Sequence, residues 1–468
     1  MEGVTAKRAR AGEGSAVDRL SALEDKLLHR VLSFLPAREV VQTMVLSKRW
    51  MDLWRYVPVI NLDILDFGRT KKKWEKMEHF TYNLLLKRKA PSLDAFRLNM
   101  KSVSQDWCRC RHVDTWLRYA IEANPLVLEV AVDLYSDVYH LPCLGSSPCR
   151  LKSLHLVRVS LDKSFAERLR SRCPDLEGLV LDHCQLHFSG IQSNTLMDLA
   201  VHDCKNSTGD ILVIRAPRLV SYCITCNESD SIGVTLDAGT SLARASVDLI
   251  SDELSPRSEA MVLGSLYNVT SLELYCLQAM AVLDKELGEL PIFKKLRTLS
   301  LENCFVSTSD VQKVKAVGRF LQKCPNLEKL TFKNFWVQKT IYFVASVVRP
   351  VVGPVEFPML ENLRTLFVVE CDLYDNFQLL RHFLQKSPNL EKLTVESCEF
   401  TKVSAGEKVM TRSKKKHSQF TNLLFFQCPK LESTDIIYKD YDHIPELVSY
   451  LLKISGPSPK NAVTLTKV

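Results

Sequence analysis

One thirteen-residue segment of this chain occurs twice. Phe320-Leu-Gln-Lys-Cys-Pro-Asn-Leu-Glu-Lys-Leu-Thr-Phe332 returns as Phe383-Leu-Gln-Lys-Ser-Pro-Asn-Leu-Glu-Lys-Leu-Thr-Val395, with two positions changed. The segment before each echoes too, as Leu296-Arg-Thr-Leu299 and Leu363-Arg-Thr-Leu366, so a block of two units has been duplicated. A chain that repeats itself at this scale folds by stacking similar units, each burying an apolar face on its neighbour.

The unit is an apolar residue, two variable, an apolar residue, one variable and an apolar residue. It reads at Leu93/Phe96/Leu98, Val127/Val130/Val132, Leu151/Leu154/Leu156, Leu176/Leu179/Leu181, Leu196/Leu199/Val201, Leu219/Tyr222/Ile224 and Leu242/Ala245/Val247. It continues at Val269/Leu272/Leu274, Leu296/Leu299/Leu301, Leu327/Leu330/Phe332, Leu363/Leu366/Val368, Leu390/Leu393/Val395 and a degenerate Leu431/Thr434/Ile436. Alternate residues of a strand share a face, so the fourth and sixth positions point inward together. The ninth position is Cys184, Cys204, Cys304, Cys371 or Cys398, and Asn227 in a further copy. Leucine-rich repeats use Asn or Cys there, in a tight buried turn. Cys173, Cys324 and Cys428 precede the strand at a corner, next to Pro174, Pro325 and Pro429. Helical spacing over Phe165–Arg172, Val314–Lys323 and Phe377–Lys386 supplies the return path. The expectation is an α/β, curved leucine-rich-repeat solenoid over 93–455, strands on the concave face, with a tail at 456–468 and both chain ends loose. Copies start from about 20 residues apart (Leu176 to Leu196) to about 41 (Leu390 to Leu431), so loops are inserted at Ala345–Pro358 and Thr401–Phe420.

The first 57 residues follow another rule. Residues 1–17 are polar and small, and read as a disordered leader. Over 18–57, Leu20, Leu23, Leu27, Leu28, Val31, Leu32 and Leu35 recur at helical spacing, with Ser21 and Glu24 as a capping box and Pro36 as a stop. Shorter helices follow at Ala37–Met44 and Ser47–Arg55, the latter with Trp50, Leu53 and Trp54 on its apolar side. So small a head cannot bury all these side chains in its own core, so some face a partner. Residues 58–92 connect head to array through a strand near Ile60–Leu62 and a helix around Trp74–Lys87.

Composition limits the function classes. The net charge of +8, from 62 basic and 54 acidic residues among 468, is too mild for a nucleic-acid signature. No apolar run is long enough to span a membrane, and the N-terminus lacks the apolar core of a secretory signal. A cytosolic or nuclear location with reduced thiols follows for the 15 cysteines. The basic runs Lys7–Arg10, Lys71–Lys73 and Lys414–Lys416 read first as solvated charge. Cys108-Arg-Cys110-Arg-His112 lacks zinc-ribbon spacing and a second pair, so no metal is expected. His183-Cys184 and His202-x-Cys204 suggest a nucleophile pair, yet both cysteines already occupy the turn position. No phosphate-binding glycine loop, His-Glu-x-x-His or Gly-x-Ser-x-Gly is present, and no cofactor is expected.

Asp18-Arg-Leu-Ser-Ala-Leu-Glu-Asp-Lys-Leu-Leu-His-Arg-Val-Leu-Ser-Phe-Leu-Pro36, followed by Val45-Leu-Ser-Lys-Arg-Trp50 and Leu53-Trp54, resembles the F-box, in the form used by large plant F-box/leucine-rich-repeat families. The resemblance runs in order over nearly the whole chain, as a three-helix F-box, then repeats. The family usually has Pro where this chain has Glu24, and an acidic or amide-bearing pair where it has Asp25-Lys26. Losing that Pro predicts weaker adaptor binding.

The resemblance implies a non-catalytic subunit of a Skp-cullin-F-box ubiquitin ligase. The F-box would bind a Skp-type adaptor, and through it a cullin, through Leu20, Leu23, Leu27, Leu28, Val31, Leu35, Pro36, Val40, Val41, Leu46, Trp50, Leu53 and Trp54. Some of these equally suit the head's own core. The repeats would hold a protein substrate on variable strand positions: His155, His183, His202, Glu273, Tyr275, Glu302, Asn303, Lys329, Thr331 and Lys333. Two other readings stay open, a repeat scaffold or receptor with a vestigial head and a small-molecule-gated receptor. RNA binding is disfavoured, because aromatics do not interleave with the basic runs.

Overall fold

The computed structural model describes residues 20, 22–68, 70–103, 110–134, 139–142, 144, 149–209, 211–226, 234–249, 262–275, 290–304, 317–334, 357–371, 373–398, 427–439, 444–454 and 462–468. The leader, Ser21, Cys108, Asn227, Lys414–Lys416 and most of both inserted loops lie outside them. The chain forms two compact units, Met1–Ser136 and Asp137–Val468.

In the first unit, helix α1 spans Asp25–Leu32, α2 Ala37–Gln42 and α3 Trp50–Leu53, with 3-10 turns at Thr43–Val45 and Trp54–Tyr56. The expected long first helix is thus shorter at both ends. Glu24 is the N-cap and makes no side-chain cap hydrogen bond, so the capping box does not form. Arg49 anchors this end instead: its Nε donates to Asp25 Oδ1 at 3.0 Å and its Nη2 to the Leu23 carbonyl at 2.6 Å. Helix α1 stops before Pro36 because Ser33 closes it, its hydroxyl donating to the Arg30 carbonyl at 2.7 Å. Pro36 then opens α2 as its N-cap, where a missing amide proton costs nothing.

Glu24 has φ −65°, the angle a proline ring imposes. Glu24→Pro is therefore expected to raise stability by about 0.4–1 kcal/mol through the unfolded chain's lost freedom. Thermal unfolding checks this, and a lowered midpoint would refute it.

Strands Val59–Asp63, Ala95–Val103 and Val127–Leu134 lie parallel, joined through α4 (Lys71–Lys87) and α5 (Cys110–Glu122). Helix α5 buries Val113, Trp116, Leu117 and Ala120, spaced as one helical face. Trp116 packs on Trp74 of α4 at 5.9 Å between centroids and on Tyr82 at 6.0 Å.

The register corrects two readings. Val59–Asp63 pairs with Ala95–Asn99, and Val57, Ile60 and Leu62 are buried, so the repeated pattern begins within the presumed connector. In the copy at 125–132, Leu128 and Val130 stand opposite Phe96 and Leu98, which shifts the reading Val127/Val130/Val132 by two residues. A shift of two keeps each side chain on its face, so alternation alone did not reveal it.

In the second unit, twelve parallel strands among the described residues form one sheet, ordered along it as they are in the chain. They are Ser153–Val157, Gly178–Asp182, Asp198–His202, Ser221–Cys226, Arg244–Leu249, Ser271–Tyr275, Thr298–Glu302, Lys329–Lys333, Thr365–Val369, Lys392–Glu396, Ser433–Tyr438 and Ala462–Lys467. The last one corrects the expected loose tail at 456–468: its largely exposed residues pair with Ser433–Tyr438. Two smaller parallel sheets run beside the early repeats, one from Tyr139–His140 to Lys205–Asn206 and one through Gly190–Gln192, Leu212–Arg215 and Val234–Asp237. Helices α6 (Phe165–Arg172), α7 (Tyr374–Lys386) and α8 (Ile444–Ile454) serve as return paths.

Fourth-position residues face one another across neighbouring strands, as Leu154, Leu179, Leu199 and Tyr222 do. The Tyr222 ring sits opposite the small Ala245, so a large and a small side chain share one layer. Its hydroxyl is buried with no hydrogen-bond partner among the described residues, and burial pushes its pKa well up. Tyr222→Phe is expected to leave stability unchanged or raise it by about 1 kcal/mol, because it removes a desolvated hydroxyl. A loss above 1 kcal/mol in denaturant unfolding would reveal a partner for that hydroxyl.

The strand-end turn has one recurring geometry. Arg158, His183, Asp203, Asn303, Asn334, Glu370 and Ser397 all have φ between 47° and 56°. This left-handed residue aims its amide at the next repeat: His183 N donates to His202 O at 2.7 Å and Glu370 N to Glu396 O at 2.8 Å. The following cysteine points back. Cys184 Sγ donates to Leu156 O at 3.3 Å and Cys204 Sγ to Leu181 O at 3.4 Å. Cys304, Cys371 and Cys398 repeat the contact. A thiol is small and apolar enough for this turn yet still donates to a buried carbonyl.

Candidate functional sites: an apolar head surface and an open strand face

The head exposes apolar side chains that a folded domain ordinarily covers. Leu27, Val31 and Phe34 are 49%, 45% and 78% exposed, and they recur at four- and three-residue steps from α1 into its closing turn. Val45 and Leu46, in and after the 3-10 turn, are 83% and 60% exposed. Leu20, Met44, Met51 and Tyr56 are exposed as well. Of the residues expected to contact an adaptor, Leu20, Leu27, Val31 and Leu46 are therefore on the surface, and Leu23, Leu35, Pro36 and Val41 are half-buried. Leu28, Val40, Trp50, Leu53 and Trp54 are interior, which corrects their assignment as contacts. Leu28 and Leu32, one turn apart, take the core side of α1, which puts Leu27 and Val31 outside. Phe34, Met44 and Val45 were missed, although Phe34 continues the spacing of Leu27 and Val31.

On the strand face of the second unit, the fifth positions form one row across the strands: His155, Val180, Ala200, Cys223, Ser246, Glu273, Ser300, Thr331 and Phe367. The seventh positions form another, including Asp182, His202, Thr225, Asp248, Tyr275, Glu302 and Lys333. The structure thus puts His155, Glu273 and Thr331 in one row and His202, Tyr275, Glu302 and Lys333 in the next. Lys329 holds a third position beside them, its Nζ 4.7 Å from the centre of the Phe367 ring. His183 and Asn303 instead occupy the left-handed turn and are not strand residues.

Asp182, Asp248, Glu273 and Glu302 lie on these rows, and Asp203 stands in the left-handed turn that follows the strand of His202. Burial pushes the Asp248 carboxyl above its usual range, and the charges of Asp203 and Glu302 add to the shift. Burial and the Glu273 carboxylate push the Tyr275 phenol up to about 12, and its hydroxyl donates to Glu273 Oε2 at 3.2 Å. Lys333 Nζ answers Glu302 Oε1 at 2.9 Å. Asp182, Asp203 and Asp248 escaped the sequence reading, because no spacing rule marks which variable positions share a charge.

The geometry does not assemble a nucleophile pair. His183 Nδ1 meets Asp182, and His202 Nδ1 meets Thr225 Oγ1 at 3.0 Å, while the neighbouring thiols bond to backbone carbonyls. Among the described residues, no group of three His, Cys, Asp or Glu side chains is arranged to hold a metal.

Residues 20–61 match the F-box domain family. The chain is 26% identical over 445 residues to an F-box/FBD/LRR-repeat protein of Arabidopsis thaliana, covering 84% of this chain and 93% of that one. It is 29% identical over 364 residues to a meiotic F-box protein of Oryza sativa subsp. japonica, covering 68% of this chain and 71% of the relative. A second Arabidopsis F-box/LRR-repeat protein is 33% identical over 195 residues, or 37% of this chain and 62% of its own length. The chain carries an F-box domain and is similar over most of its length to plant F-box/leucine-rich-repeat proteins. Its F-box match ends at residue 61, inside the strand Val59–Asp63, so the F-box segment runs directly into the repeated pattern.

Proposed function

We propose that this protein is the non-catalytic substrate-recognition subunit of a Skp-cullin-F-box ubiquitin ligase. Its F-box holds a Skp-type adaptor, which docks on a cullin, and its solenoid of repeats holds a protein substrate for ubiquitination and degradation, in the cytosol or nucleus. The observation that carries this reading is the apolar surface of the head. Leu27, Val31, Phe34, Val45 and Leu46 are all exposed in the isolated chain. Covering such side chains contributes up to about 1.5–3 kcal/mol each, a gain that a bound adaptor would supply.

Catalysis requires nothing further of this chain. Tethering substrate and charged enzyme on one scaffold turns an encounter into an intramolecular step, and effective concentration supplies the rate. The strand rows offer the substrate two chemistries, carboxylates around Asp248 and Glu273 and an aromatic with lysines at Phe367, Lys329 and Lys333.

The alternative, a repeat scaffold with a vestigial head, draws on Glu24, whose side chain caps no helix. Capture of the full chain by a purified Skp-type adaptor tests the two. Binding at micromolar concentration or tighter supports the ligase reading, and no capture of the folded chain overturns it.

A further inference from the structure

We propose that Cys149 and Cys173 are a peroxide-reactive dithiol, joined by a hydroperoxide into a reversible disulfide within the first repeat of the second unit. The two sulfurs lie 3.0 Å apart, about 1 Å beyond a covalent S–S bond. Both ends are held. Cys149 N donates to Arg172 O at 2.7 Å, and Cys173 N, at the C-cap of α6, donates to Leu169 O at 3.1 Å. The two sulfurs are thus held within reach of each other by hydrogen-bonded backbone on both sides.

The two thiols are unequal in the way such a pair needs. Cys149 is half-exposed and reachable by a small oxidant, whereas Cys173 is buried beside it. Hydrogen bonding with Cys173 draws the Cys149 thiol down to about 6, while the same contact and burial push Cys173 up. Cys149, the accessible member, is thus the attacking thiol and Cys173 the resolving thiol. Among the turn-position cysteines, Cys184, Cys204, Cys304 and Cys371 are buried and offer an oxidant no exposed thiol.

The chemistry balances with hydrogen peroxide. The Cys149 thiolate attacks one peroxide oxygen, the O–O bond breaks, and the departing hydroxide takes a proton as water, leaving a sulfenic acid. The Cys173 sulfur then attacks the Cys149 sulfur, the S–S bond forms, and the hydroxyl leaves with the Cys173 proton as a second water. Two thiols lose two electrons and two protons. The partners are 24 positions apart, and the ring they close encloses the strand Ser153–Val157 and α6. Oxidation therefore ties the end of α6 to the start of the strand that carries His155.

The test treats the reduced full-length chain with hydrogen peroxide from micromolar to millimolar, alkylates free thiols, and maps peptides by mass spectrometry. The expected result is one peptide pair joined through Cys149 and Cys173, two hydrogens lighter and released by dithiothreitol. Amide exchange across α6 should slow at least severalfold when it forms. Cys149→Ser, with an unchanged circular dichroism spectrum, should yield no link and leave Cys173 a free thiol. Recovery of Cys149 as a sulfinic acid, or joined to another cysteine, would overturn the proposal. So would its recovery as an unmodified thiol at millimolar peroxide.

Discussion

A full-length chain carrying Leu27→Asp and Val45→Asp is expected to lose at least about a hundredfold in affinity for a Skp-type adaptor, while its unfolding midpoint stays within a degree or two. The argument rests on exposure. Both side chains lie on the surface, so a carboxylate there remains hydrated and the head loses no core contact. In a complex that covers them, each Asp forfeits about 1.5–3 kcal/mol of apolar burial and must also be desolvated. Together these exceed the 2.7 kcal/mol or so that a hundredfold loss requires. Leu28→Asp is the instructive contrast. Leu28 is fully buried, so an uncompensated carboxylate there costs several kcal/mol and unfolds the head. Isothermal titration against the adaptor, beside circular dichroism of each variant, separates the two effects. Unchanged affinity in the double variant would remove this surface from the interface.

Phe332→Ala is expected to cost about 3–5 kcal/mol. Phe332 holds the sixth position of its repeat, in the strand Lys329–Lys333, which is paired on both sides. It is buried, with its ring centroid 4.7 Å from that of Phe383, which in turn meets Phe357 edge-on at 5.2 Å. Truncation removes one ring of this stack, the one that packs on Phe383, and leaves a cavity between two flanking strands. In a stacked array each unit leans on its neighbours, so the transition should also broaden as the array splits near this strand. Lys329→Ala on the exposed side of the same strand should cost less than about 1 kcal/mol, chiefly its contact with the Phe367 ring. Denaturant unfolding of both variants checks the pair, and equal losses would contradict the assignment of faces.

Much of the repeat body is legible in the sequence because its rules are local. Leu176, Leu179 and Leu181 announce a strand and its inward face by spacing alone, and their register with Leu199 and Val201 repeats the same spacing. The cysteine at the ninth position is legible for the same reason: one turn geometry recurs, and few side chains fit it. The head was legible as three helices but not in its detail. Ser33 ends α1 before Pro36, and Arg49 does the work assigned to a capping box, a contact spanning 24 positions of sequence.

By itself, the sequence determined that the chain is an F-box-like head followed by stacked strand-bearing units, and which positions in most of those units point inward. Alternation and repeat spacing encode these facts within a few residues. Only the tertiary structure decided which of the adjacent Leu27 and Leu28 is surface and which is core, since their hydrophobicity is identical and packing alone separates them. It likewise decided that the repeated pattern begins as early as Val57, that Ala462–Lys467 is a paired strand, that Asp248 and Glu273 stand on neighbouring strands, and that Cys149 meets Cys173. Each of these depends on which distant segments the fold brings alongside, and no local spacing carries that information.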